Sequence, residues 1–223
     1  MDAATEQAFA HQRHVMVEQQ IKSRGIRAPN VLNAMLKVPR HEFVPPSLQN
    51  DAYADRPLEI GNQQTISQPY IVAYMLQAAE IDKSDLVLEI GAGSGYATAL
   101  LAELARMVVS LERYSELAQL AFDRLTKLSY GNFEIHVLDG TLGYPPQAPY
   151  DVIFVSAAAP HCPPALVGQL ALGGRMVIPI GDVEAQELHL ITRTPQGTLV
   201  RRLEGCRFVP LVGAEGFRGT GQS

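Results

Sequence analysis

The chain has 223 residues, 47% of them hydrophobic and 18% charged, with 18 Lys plus Arg against 23 Asp plus Glu and a net charge of −5. So much apolar content with so little net charge excludes a disordered chain, and the acidic balance argues against a nucleic-acid binder held by phosphate contacts. No stretch of about 18 residues is apolar enough for a membrane span, residues 1–14 lack the apolar core of a secretory signal, and two cysteines, Cys162 and Cys206, cannot build a disulfide framework. A cytoplasmic protein of one large domain, with neither membrane nor nucleic-acid partners, is expected.

Taken in chain order, residues 8–24 carry Phe9, Val15, Met16 and Ile21 at a weak helical period. Pro29 opens a short helix with Val31, Leu32, Met35 and Leu36, which stops before Pro39. Five prolines (Pro39, Pro45, Pro46, Pro57, Pro69) predict an extended, ordered linker over 39–69. Pro69 then starts a helix with Val72, Met75, Leu76 and Ala79 on one face. Beyond residue 83 the pattern alternates. Strands are predicted at 86–90, 107–111, 133–138, 151–155 and 175–180, and helices from about Tyr96, around 117–128 and over 164–170. The final segments 187–194, 198–203 and 206–211 read as strands, with no helix between the first two. Strands separated by amphipathic helices predict a doubly wound α/β sheet, mostly parallel, with an antiparallel edge addition. The division is 1–82 as a helical and loop N-terminal extension, 83–217 as the α/β part of one compact unit, and 218–223 as a polar tail.

The strongest constellation is Val87-Leu-Glu-Ile-Gly-Ala-Gly-Ser-Gly95, where the first strand feeds its helix. Gly91, Gly93 and Gly95 allow positive φ and close approach of a ligand. A dinucleotide fingerprint would need a sixth-position glycine where this chain has Tyr96. Glu89, two residues before Gly91, would repel a pyrophosphate and suits a cationic or amine-bearing ligand such as S-adenosylmethionine. Glu112, at the end of the second strand, can accept from both ribose hydroxyls. Asp139, after the third strand, can receive an adenine amino group, with Gly140 leaving room for the ring.

Residues 57–73, with the core Thr65-Ile-Ser-Gln-Pro69, form a second informative stretch. With Val38-Pro-Arg-His-Glu-Phe-Val-Pro45, the Gly-rich loop, Ala148-Pro-Tyr-Asp151, Ser156-Ala-Ala-Ala-Pro160 and Arg207-Phe-Val-Pro-Leu211, the chain resembles the protein-L-isoaspartate O-methyltransferases over roughly residues 15–212. The resemblance implies a Rossmann-like methyltransferase fold. It implies transfer of the methyl of S-adenosylmethionine to the α-carboxylate of an isoaspartyl residue in damaged protein, whose ester then cyclises to a succinimide without enzyme. Ser67 matches the family's acceptor-site serine, Glu112 its ribose contact, and Asp139 with Gly140 its adenine-contacting pair. Ser67, helped by Thr65, is expected to orient the carboxylate; the alternative for Ser67 is a local cap of the helix from Pro69. Two departures stand out: Gln63 where bacterial members usually have Gly, and Leu138 where Gly is usual, a change that either crowds the adenine pocket or extends the third strand. The alternative function is a carboxyl methyltransferase of the same fold acting on a dedicated peptide or small acid. Isoaspartyl proteins and peptides are the expected partners, and a monomer is expected.

The remaining polar residues carry weaker signals. His11 and His14 are three apart on a helix, but no further ligand is near, so no metal is expected. Cys162 lies near the acceptor region and Cys206 in a strand; both read as bystanders. Arg40 and His41 follow a proline turn and read either as peptide contacts or as surface residues.

Overall fold

The computed structural model describes residues 3–218, so the expected polar tail lies outside the described residues beyond Arg218. Helix α1 (Ala3–Val15) runs on through a wider π-helical turn, Met16–Ile21, and a 3₁₀ turn, Lys22–Arg24. Gly25, at φ 97°, ends it in the left-handed region. α2 (Pro29–Lys37) and α3 (Pro69–Ala79) each begin on a proline in the first turn, where the missing N–H costs no hydrogen bond.

The 39–69 stretch is more regular than its prolines suggest. It holds 3₁₀ turns at Arg40–Phe43 and Pro46–Asp51 and an antiparallel hairpin of β1 (Leu58–Gly61) and β2 (Gln64–Ile66). Strands of four and three residues are too short to show a period of two. The turn between them holds Asn62 and Gln63 at φ 49° and 57°, the pair of positive φ values that matches a tight hairpin to strand twist.

The main sheet contains β3 (Leu86–Ile90), β4 (Met107–Glu112), β5 (Phe133–Val137), β6 (Tyr150–Val155), β7 (Leu170–Gly181), β8 (Gln186–Thr194) and β9 (Gly197–Cys206). Their order is β5-β4-β3-β6-β7-β8-β9. β3 to β7 pair in parallel, and β8 and β9 add as an antiparallel meander. Helices α4 (Tyr96–Leu104), α5 (Ser115–Lys127) and α6 (Pro164–Gly168) make three of the four parallel crossovers, and 3₁₀ turns at Gly140–Leu142 and Pro145–Gln147 make the connection from β5 to β6. One of the predicted strands is absent. After Cys206 the chain leaves the sheet: its isolated bridge of Pro210 to Ala158 lies beyond the end of β6, and Pro210 has no N–H for a ladder.

Alternation along the central strands divides the core. Val87 and Val108 pack with α3, α4 and the N-terminal helices, while Leu88, Ile90, Val109 and Leu111 face α6 on the other side. The extension shares the first of these cores: Phe9, Met16, Ile21, Met35 and Phe43 belong to the same buried cluster as Val87 and Leu100.

Candidate active site

The order of the sheet reverses at β3, which lies between β4 and β6. A ligand in an open α/β sheet binds where such a reversal opens a crevice at the carboxyl ends of the strands. Here a cleft enclosing about 940 Å³, its open mouth included, is lined by Gly91, Ala92 and Gly93 after β3, Glu112 and Arg113 at the end of β4, and Ser156 after β6. Its far wall is Gln64, Thr65, Ile66 and Ser67 from the hairpin, and its roof is the 208–212 segment. Gly140 also lines it, and a Cβ there would lie 2.5 Å from Ile90 Cγ2. Only glycine lets the chain after β5 pass so close to β3.

The loop after β3 is already hydrogen-bonded. Gly91 and Ala92 N–H donate to Leu111 O at 2.8 and 3.2 Å, and Gly95 N–H to Ala92 O at 2.8 Å. Gly93 N–H donates to Glu112 Oε2 at 2.8 Å, while Glu112 Oε1 accepts from Arg113 and Tyr114 N–H at 2.7 and 3.0 Å. A phosphate cradle needs free N–H groups and no carboxylate. Here Gly91, Ala92, Gly93 and Gly95 already spend their N–H groups, and a carboxylate at the mouth of an apolar cleft fits a nucleoside bearing positive charge better than a pyrophosphate. Gly95 serves packing instead: a Cβ on it would lie 3.1 Å from Ala121 Cβ on α5.

Glu89 is fully buried behind the loop and does not line the cleft. The register of β3 on β4 sets it opposite Ser110. Its Oε2 accepts from Ser110 Oγ and, at 2.6 Å, from Thr98 Oγ1, and its Oε1 has no partner. Burial pushes its pKa up to about 7 against the pull of these two hydrogen bonds, and the charge of Glu112 adds to the rise. Asp139 faces an adjoining depression with Arg113, Leu138 and Ala214. Its Oδ1 accepts from Thr141 N–H and Oγ1 at 2.9 and 2.7 Å, and its Oδ2 from Ala214 N–H at 2.8 Å. Burial works to raise its pKa, but the hydrogen bonds from Ala214 and Thr141 prevail and hold it below the ordinary value. Asp139 thus ties the chain after Val212 to the end of β5. Leu138 is exposed, lines that depression, and bonds through its N–H to Glu112 O at 3.0 Å, extending the ladder without entering the central cleft.

Ser67 and Thr65 stand in the wall between the central cleft and an outer groove lined by Arg24, Tyr70, Glu204 and Phe208. The N-cap of α3 is Gln68 and not Ser67, and it makes no side-chain cap hydrogen bond. The central cleft and the surface groove therefore adjoin, with Thr65, Ser67, Phe208 and Val209 lining both.

The family model described as protein-L-isoaspartate(D-aspartate) O-methyltransferase matches residues 11–216. The chain belongs to the protein-L-isoaspartate O-methyltransferase family. A relative from Syntrophobacter fumaroxidans, named protein-L-isoaspartate O-methyltransferase 1, is 52% identical over 211 residues, covering 95% of this chain and 99% of its own. One from Koribacter versatilis is 53% identical over 210 residues, 94% of each chain. A solved protein-L-isoaspartate O-methyltransferase has a TM-score of 0.82 at 28% identity, covering 92% of this chain and 67% of its own. A candidate member from Plasmodium falciparum, solved in complex with S-adenosyl-L-homocysteine, has a TM-score of 0.76 at 28% identity, covering 87% and 95%. Family members use S-adenosylmethionine.

Against this family background, several side chains lie where the sequence did not point. Arg40 and His41 are neither surface residues nor peptide contacts: both are fully buried. His41 stacks on Phe9 with ring centroids 4.1 Å apart, and its Nδ1 lies 2.8 Å from Tyr53 Oη. Burial lowers its pKa, with Glu6 and Glu42 opposing. Tyr96, Phe208 and Val209 line the cleft; the Arg207-Phe-Val-Pro-Leu211 motif marked the last two without showing that they form a roof. Burial, with Glu215 nearby, pushes the Cys162 thiol up to about 11, and burial with Glu187 and Glu204 pushes Cys206 up to about 12, so neither is a thiolate at neutral pH. Among the described residues no group of three or more His, Cys, Asp or Glu is placed to hold a metal ion, and no helix is long and apolar enough to cross a membrane.

Proposed function

We propose that this protein transfers the methyl group of S-adenosylmethionine to the α-carboxylate of L-isoaspartyl residues in damaged proteins and peptides. The observation that carries the reading is one cleft that holds the Gly-rich loop and Glu112 on one side and Thr65 and Ser67 on the other, next to a groove open to the surface. The cofactor, when bound, supplies an electrophilic methyl on a sulfonium. Glu112 would hold its ribose hydroxyls, and Gly140 would admit the adenine edge. Glu89 would place its unpartnered oxygen beneath the loop, and Asp139 would anchor the chain that closes the adenine end.

The rest of the chemistry belongs to the acceptor. A carboxyl with a pKa near ~4 is ionised at neutral pH, so no general base is required. Ser67 donates a hydrogen bond that orients the carboxylate, with Thr65 beside it. Phe208 and Val209 shield the reacting atoms from water, and catalysis is chiefly approach and alignment. In this reading residues 1–82 and 83–217 act as one catalytic unit, a monomer in the reducing cytoplasm, without nucleic-acid partners. The free state of both cysteines and the core shared between the two parts support that placement.

The experiment is methyl transfer to an isoaspartyl peptide beside its aspartyl twin. Labelling of the isoaspartyl peptide alone is expected. Equal labelling of both, or labelling of neither, overturns the reading, and activity confined to a dedicated peptide or small acid would redirect it.

A further inference from the structure

Arg40 presents an electrostatic anomaly. It is fully buried, yet no carboxylate lies within ion-pair distance of it among the described residues. Its Nε donates to Ala52 O at 2.7 Å, its Nη2 donates to Ser67 O at 2.8 Å, and its Nη1 has no partner. The guanidinium carbon lies 4.8 Å from the centroid of the Tyr96 ring, which itself lines the cleft. A buried charge with an idle donor is expensive, and an apolar side chain of the same volume is often the more stable filling.

What the guanidinium grips is informative. Ser67 lies between the end of β2 at Ile66 and the start of α3 at Pro69, so its carbonyl belongs to neither ladder nor helix. Arg40 provides the hydrogen bond that regular structure does not. The neighbouring Gln68 Nε2 donates to Asp55 O at 3.2 Å, so the Ser67–Gln68 pair is tied on both sides to the 52–55 loop. The planar fork suits this task, because two donors in fixed geometry reach two carbonyls at once.

We propose that Arg40 is the positioning residue of the acceptor site: by holding the Ser67 carbonyl it sets the direction in which the Ser67 hydroxyl meets the acceptor carboxylate. The inference rests on the reading of Ser67 given above. Arg40 lines neither the cleft nor the groove, so it acts through Ser67 and not by contact with substrate. Its charge adds a second effect. The carboxylate loses its charge during transfer, so a nearby fixed cation favours the bound acceptor over the transition state: losing it raises KM and offsets part of any fall in kcat, whereas orientation bears on kcat alone.

Two variants separate these effects. Arg40→Lys keeps the charge but loses the fork, and Arg40→Met loses both. Both are expected to fold and to bind S-adenosylhomocysteine in calorimetry as the unaltered protein does. For an isoaspartyl peptide, kcat is expected to fall about 100-fold in Arg40→Lys, the scale of a small misplacement of reacting groups, and less far in Arg40→Met, with KM rising only in Arg40→Met. Unchanged kcat, a parallel loss of S-adenosylhomocysteine affinity, or failure of both variants to fold would overturn the proposal, the last by making Arg40 a support of the fold. If the unaltered protein leaves the isoaspartyl peptide unlabelled, the functional reading falls and this inference with it; an active parent with equally active variants sinks the inference alone.

Discussion

Glu112 is held by three backbone N–H groups, so its carboxylate stands in one orientation at the mouth of β4. Glu112→Ala should weaken S-adenosylhomocysteine binding by about 10- to 100-fold, the range for hydrogen bonds to a charged group, as read by calorimetry. Ser67→Ala should do the converse: kcat on an isoaspartyl peptide falls by a comparable ~10- to 100-fold while cofactor affinity holds. If affinity collapses instead, Ser67 is structural. Glu89 lends itself to a pH experiment. Its folded pKa of about 7 lies above the ordinary 4.5, so between those values the folded chain keeps a proton that the unfolded chain has released. Its contribution to stability is therefore full below about 4.5 and is lost as pH rises through about 7. The melting temperature of the cofactor-free protein should decline between about pH 5 and pH 8, and decline less in Glu89→Gln, whose amide oxygen still accepts from Thr98 and Ser110. An equal decline in both proteins would place the titration elsewhere. Both acids were legible in the sequence. Their different environments were not, although the period of two already put Glu89 on the same face as Val87.

The hairpin of β1 and β2 carries the acceptor residues, and its turn bears an avoidable strain. Gln63 holds φ 57°, a region where a side chain costs roughly 1 kcal/mol or more. Part of that is returned by the greater freedom glycine gives the unfolded chain, so Gln63→Gly should stabilise by about 0.5–1 kcal/mol and raise the melting temperature by about 1–4 °C. No rise would mean that the turn relaxes in solution. Elements were legible where punctuation was strong: Pro29 and Pro69 marked true helix starts, and the long apolar patterns of α4, β3 and β6 marked true elements. Residues 39–69 and 206–211 were not legible in this way. There, tertiary contacts replace periodicity: Arg40 ties two loops together, and the chain after Cys206 is held by Leu211 N–H donating to Ala158 O at 2.7 Å.

At the scale of the molecule, the two halves are joined by a clasp no local pattern records. Arg175 on β7 donates to Ala79 O at 2.7 Å, to Glu80 O at 2.9 Å and to Asp85 Oδ2 at 2.8 Å, joining the end of α3 to the sheet. Arg175→Ala would leave Asp85 and two carbonyls short of donors and should cost about 1–3 kcal/mol in denaturant unfolding; a change under ~0.5 kcal/mol, the range of an ordinary surface substitution, would show that water replaces the arginine. The alternation of strands and helices, the glycine loop and the acids at the strand ends were determined by the sequence by itself, because backbone periods and turn chemistry act over a few residues. The tertiary structure alone decided that Glu89 is buried while Glu112 is presented, that Asp139 grips the chain beyond Val212, that 208–212 roofs the cleft, and that a buried arginine stands behind Ser67. Each of these depends on which distant segments meet, and burial and hydrogen-bond partnership are properties of that meeting.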